Sequence, residues 1–133
     1  MEVKDLRIGN LVSISRGDVR EIYSLGEHGI NVYAKNQTVM CMAEYEIISP
    51  ILLTEEWLKK FGFHDGMAHY YLSASSNQVR PLKLLIKISE SGFYISLWDE
   101  SEEIVIFEGE KYYVHQLQNL FFAHKGEELI FKN

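Results

Sequence analysis

Apolar positions in the first part of the chain fall in short bursts, each closed by turn-forming residues. Leu6, Ile8, Leu11, Val12 and Ile14 make the first burst, interrupted by Gly9-Asn10, which reads as a turn or a bulge. Arg16-Gly17-Asp18 turns the chain into a second strand over Val19 to Leu25. A tight loop, Gly26 to Gly29, leads to Ile30, Val32 and Ala34, with Tyr33 on the other face. Lys35-Asn36-Gln37 turns again and Thr38 to Met42 forms a fourth strand. Tyr45, Ile47 and Ile48 end the run before Ser49-Pro50. Short strands at close spacing predict a small, strongly bent sheet or barrel, and an SH3-like barrel is the first choice for residues 1–52.

The period then changes. Thr54 suits an N-cap, with Glu55 and Glu56 in the first turn, where the helix dipole favours acids. Leu53 can pack on Leu58 as a hydrophobic staple. Lys59 and Lys60 occupy the last turn, Gly62 falls at C′, and Phe63 can contact Leu58 in a Schellman-type stop. These signals agree on a two-turn helix over 55–61. His64 to Met67 reads as a loop, residues 69–73 as a strand and Ser75-Ser76-Asn77 as a turn. Pro81 opens the clearest alternation in the chain: Leu82, Leu84, Ile86 and Ile88 face one way, Lys83, Leu85 and Lys87 the other. After the turn Glu90-Ser91-Gly92, Phe93, Ile95 and Leu97 alternate with Tyr94, Ser96 and Trp98. The acidic loop Asp99 to Glu103 precedes another strand, Ile104 to Phe107. Hairpin spacing predicts an antiparallel meander. Val114, Leu117, Leu120 and Phe121 lie on one stripe of a helix over 114–124, expected to cover the apolar face of the meander. Leu129, Ile130 and Phe131 add a short strand or dock. The class is therefore α+β, divided as 1–52 and 53–133, or as one continuous domain.

Composition narrows the function classes. At 133 residues, with 47% apolar and 24% charged side chains, the chain has the balance of a globular domain. The net charge is −6, and neither 1–52 (five basic, seven acidic) nor 53–133 (eight basic, twelve acidic) is basic. Nucleic-acid binding is thereby disfavoured, although Lys83 and Lys87, with Arg80 before them, offer a local basic strip. The single cysteine, Cys41, lies in the apolar run Val39-Met40-Cys41-Met42 and reads as a buried thiol in a reducing cytosol. MEVKDLRIGN has no apolar h-region, so no signal peptide is expected, and no apolar run has the length of a membrane span.

Three segments, LTEEWLKKFGF (53–63), YVHQLQNLFFAHKGEEL (113–129) and DLRIGNLV (5–12), resemble in order and spacing a family of small proteins of gut anaerobic bacteria and their phages or prophages. His124-Lys125 departs from that pattern, where a small or apolar residue and a Thr are expected. The family has no assigned activity, so the resemblance implies a bacterial or phage origin and a cytoplasmic setting, and no chemistry.

Catalytic motifs are missing: the sequence has no G-x-S-x-G, P-loop, G-x-G-x-x-G or H-E-x-x-H. His64, Asp65 and His69 share one stretch but lack a matching ligand pair elsewhere, so no metal and no cofactor is expected. The acids Asp99 to Glu103, with Glu108 and Glu110, invite Ca²⁺ or a basic partner but lack EF-hand spacing, and a solvated hairpin tip is the default. His115, Asn119 and Phe122 share a helix face at i, i+4 and i+7. They form either a partner-facing patch or, the favoured reading, a contact with the N-terminal half in which Phe122 joins the core. Trp57 suits an interface hot spot, yet a structural role is favoured. The sequence thus points to a non-enzymatic protein-interaction module with an exposed apolar-aromatic patch or a symmetric dimer, its candidate positions Trp57, His115, Asn119 and Phe122. The alternative is a nucleic-acid-binding accessory protein using the SH3-like half; a small enzyme ranks third. No membrane is implied, and homo-oligomerisation is left open.

Overall fold

Two five-stranded antiparallel sheets and two helices make up the structure, a computed structural model that describes residues 5–14, 17–33, 40–73, 82–99 and 102–130, with backbone only at 40, 41 and 46. The expected turns at 35–37 and 75–77, the strip's Arg80, Phe131 and the Cys41 side chain lie outside the described residues. The chain divides into two compact units. One comprises Met1–Leu52 with Tyr113–Asn119, the other Leu53–Tyr112 with Leu120–Asn133.

The first unit holds β1 (Leu11–Ile14), β2 (Asp18–Leu25), β3 (Gly29–Tyr33), β4 (Met40–Glu44), a 3-10 turn (Tyr45–Ile47) and β5 (Ile48–Ser49), in the order β4-β3-β2-β1-β5. β2 pairs with β1 through Asp18–Glu21 and with β3 through Ile22–Leu25, and a bulge between Ile22 and Ser24 marks the change of partner. A bulge bends and twists a strand, so one strand serves both halves of a curled sheet. Leu6, Val12, Ile22, Ile30, Val32, Ala43 and Ile48 fill the core, with Ile14 and Tyr45 packed against it.

The second unit starts with α1 (Glu55–Lys60). The Thr54 hydroxyl accepts from the Trp57 N–H at 3.3 Å. At the other end Phe63 N–H donates to Leu58 O and Gly62 N–H to Lys59 O, both at 3.0 Å. These two bonds define a Schellman motif, and Gly62 supplies its left-handed residue at φ 84°. The sheet follows as β6 (His64–Asp65), β7 (Tyr70–Ser73), β8 (Lys83–Ser89), β9 (Gly92–Trp98) and β10 (Glu103–Gly109), paired in chain order. The expected loop at 64–67 is thus partly a strand. His64 and Asp65 pair with Tyr71 and Tyr70, and a tight turn is closed by Gly66 N–H to His69 O at 2.8 Å and Met67 N–H to Asp65 Oδ1 at 2.9 Å. Backbone pairing, not apolar periodicity, makes this strand, and its two polar residues carry no strand pattern in the sequence. Leu84, Ile86, Phe93, Ile95 and Leu97 share the buried face, where Leu84 opposes Leu97 and Ile86 opposes Ile95. α2 spans Val114–Lys125; Leu129 is buried, and the described residues beyond α2 add no strand.

Candidate interaction site

The turn signal Gly9-Asn10 is held by the first half of α2. Arg7 N–H donates to Asn10 Oδ1 at 2.7 Å and Asn10 N–H returns a bond to Arg7 O at 3.0 Å. Asn119 Oδ1 accepts from Asn10 Nδ2 at 2.8 Å and Arg7 Nε at 3.1 Å, while Asn119 Nδ2 donates to Asp5 O at 2.9 Å. One residue back, Gln118 Oε1 accepts from the Leu11 N–H at 2.8 Å and Gln118 Nε2 donates to Gly9 O at 3.2 Å. Asn10 and Gln118 are buried, so each side-chain amide satisfies backbone or amide groups withdrawn from water. The cluster contains no nucleophile beside a base. It is a latch.

His115 lies on the same stretch of α2, only 4% exposed, with its ring stacked on Tyr113 at 6.1 Å. Burial lowers its pKa, an effect opposed by the Asp5 carboxylate. Of the sequence candidates, His115 and Asn119 therefore sit in the first unit, one buried and one latched, whereas Phe122 belongs to the second unit and is 40% exposed. Trp57 is half-buried on α1, its ring 5.7 Å from Phe61 and beneath Lys60 Nζ at 5.1 Å.

A different cluster occupies the second sheet. The register places Tyr71, Leu85, Ser96 and Val105 in one row across the face opposite the core, with Lys83, Trp98 and Glu103 in the next. Glu103 ties this face together: its carboxylate accepts from Trp98 Nε1 at 2.7 Å and from the Tyr94 hydroxyl. The bond from Tyr94 is the main cause of a Glu103 pKa below 4.5, helped by Trp98 and Lys87 against the opposing effect of desolvation. The same bond raises the Tyr94 pKa. Lys83 and Lys87 carry their ammonium groups over the rings of Tyr71 and Tyr94, at 5.4 and 5.2 Å.

At the border of this face the sheet ends in β10. Ile104, Val105 and Ile106 are 59%, 47% and 38% exposed, beside Trp98 at 41%. Ser89 pairs with Gly92 across a two-residue turn, which makes alternate residues of β9 bond to β8 and to β10. The backbone groups of Glu103, Val105 and Glu108 consequently face away from β9. Among the described residues no strand pairs with that side. Ile106 is the extra residue of a bulge between Val105 and Phe107.

No family model, curated protein or solved structure matches the chain.

Other chemistry is sparse. Among the described residues no group of three His, Cys, Asp or Glu is placed to hold a metal ion, and His64 and His69 flank the Tyr71 ring at 5.2 and 6.0 Å. An open concavity of about 430 Å³ in the first unit is lined by Glu27, His28, Met42, Glu44 and Tyr45. No described helix is long and apolar enough to cross a membrane. The strand at 104–107 is legible in the sequence, whereas its place at the sheet border is not. The available signal was four consecutive apolar residues, Ile104 to Phe107, between Glu103 and Glu108, the pattern of a guarded edge.

Proposed function

We propose that the chain is a non-enzymatic protein-interaction module of a bacterium or its phages, and that its partner adds a strand to the open edge at β10. The exposed run Ile104-Val105-Ile106, on an edge that no strand among the described residues pairs with, carries this reading. Large apolar side chains beside outward-facing amides are the elements of strand addition, in which the backbone supplies affinity and alternate side chains supply selectivity. Trp98 and Tyr94 next to the edge are residue types that anchor interfaces. The first unit supports an SH3-like barrel through its strand order, the change of partner along β2 and the 3-10 turn before β5. That likeness is an analogy of fold only. One cysteine in the chain favours a reducing cytoplasm. A photo-crosslinking side chain at position 105, introduced in cells of the source organism, is expected to capture a discrete protein that the same group at Glu90, in the β8–β9 turn, does not. Identical products from both positions contradict the reading.

Nucleic-acid binding is a second reading, favoured by Lys83 and Lys87 over Tyr71 and Tyr94, since cations interleaved with rings suit a single strand. The net charge of −6 opposes it. A single-stranded probe that shows no gel shift at low salt removes this reading.

A further inference from the structure

Resting on the edge-docking reading above, we infer that the segment docking on β10 is an extended polypeptide, apolar in its middle and basic at both ends, and that a second copy of this chain is disfavoured there. The strand is apolar at its centre and acidic at its ends. Glu102 and Glu103 stand at its start, Glu108 and Glu110 at its finish, and Asp99 lies just before; Lys111 is the one base among the described residues of 99–111. The charge of Glu103 is fixed in place by Tyr94 and Trp98 rather than left to swing into solvent.

Cross-strand neighbours decide which strand fits. Opposite charges placed across from each other stabilise a strand pair, and like charges destabilise it. Two β10 strands meeting antiparallel about a two-fold axis bring the Glu102–Glu103 end of each against the Glu108–Glu110 end of the other. Self-pairing therefore sets acid against acid at both ends. A strand of alternating apolar residues with Lys or Arg at its ends meets the exposed Ile104 and Val105 in the middle and a carboxylate at each end. The outward amides of Glu103, Val105 and Glu108 set the register, and the seven-residue length of β10 sets the length of the match.

The experiment uses the full chain and three short capped peptides of alternating valine and threonine, with paired lysines, serines or glutamates at both ends. Affinity is read by fluorescence anisotropy and location by hydrogen exchange of the β10 amides. The lysine-ended peptide is expected to bind tightest, on the order of tenfold over the glutamate-ended one, with protection at 103–108 and a loss of affinity as salt rises. The triple variant Glu102→Lys, Glu108→Lys, Glu110→Lys changes only exposed side chains, so its fold is expected to be retained, and it should reverse the ranking. Equal protection of β10 by all three peptides overturns the charge inference and leaves edge docking standing. Failure of every peptide to protect β10 overturns both.

Discussion

Asn119 and Gln118 illustrate how a single side chain can have two different meanings. On the helix alone, His115, Asn119 and Phe122 share a face, and helical spacing correctly makes them neighbours. Spacing does not say whether that face meets water or backbone. The structure gives Asn119 to Asp5, Arg7 and Asn10, and gives Gln118 to Gly9 and Leu11. Gln118→Leu retains most of the side-chain volume but strands the buried Leu11 amide. It is expected to cost about 1–3 kcal/mol in urea unfolding, and a change within error argues that the latch carries no stability. His115 adds a pH dependence of known sign. The unfolded chain binds a proton near 6.5, whereas burial makes the folded chain resist it. The stability from this group is fully present above that pH and falls as pH drops below it. The loss of unfolding midpoint between about pH 7 and about pH 5 should shrink in His115→Gln. Glu103 also titrates below its ordinary value, in this case because hydrogen bonds hold its charged form. In Trp57→Phe, which leaves Trp98 as the only indole, fluorescence should change with a midpoint below 4.5, and Glu103→Gln should abolish that change.

At the scale of elements, legibility follows the range of the forces. α1 was readable in detail because its cap, dipole and stop are interactions within a few residues, and the Thr54 and Gly62–Phe63 bonds are those the sequence implies. Two glycines separate backbone conformation from space. At Gly62 nothing lies within 4 Å of an added Cβ, so Gly62→Ala meets only the cost of its positive φ, about 1 kcal/mol. At Gly92, φ is 133° and an added Cβ falls 2.2 Å from the Gly109 carbonyl oxygen of β10. Gly92→Ala should therefore destabilise considerably more, by roughly 2–4 kcal/mol, and thermal unfolding of the two variants reads the difference directly. Equal losses would show that the Gly92–Gly109 approach relaxes freely. β6 was hidden because its two residues carry no apolar pattern, only a pairing partner that lies beyond a turn.

For the molecule as a whole, the question is which surface is held open. β10 carries apolar residues that a water-facing strand does not need, together with a bulge and glutamates that restrain indiscriminate pairing. Ile104→Lys with Ile106→Lys is expected to leave the unfolding midpoint nearly unchanged, within about 0.5 kcal/mol, because both side chains are already exposed. The same double variant should lose the crosslinked product formed from position 105. A large loss of stability instead would assign the two residues to the fold rather than to a partner.

The sequence by itself determined the α+β class, the curled small-strand region, the capped helix, the antiparallel order of the later strands and the apolar face of Leu82, Leu84, Ile86, Ile88, Phe93, Ile95 and Leu97, of which Leu82 and Ile88 are only half-buried. Each of these rests on local propensity or on a period of hydrophobicity, and both are properties of neighbours along the chain. Tertiary structure alone decided that α2 contributes Gln118 and Asn119 to the latch at Gly9-Asn10, that Tyr94 and Trp98 converge on Glu103, and that the strand of Ile104 to Ile106 is a border rather than a centre. Those outcomes depend on which distant backbone groups find partners, and an apolar alternation reads the same whether a strand has one neighbour or two.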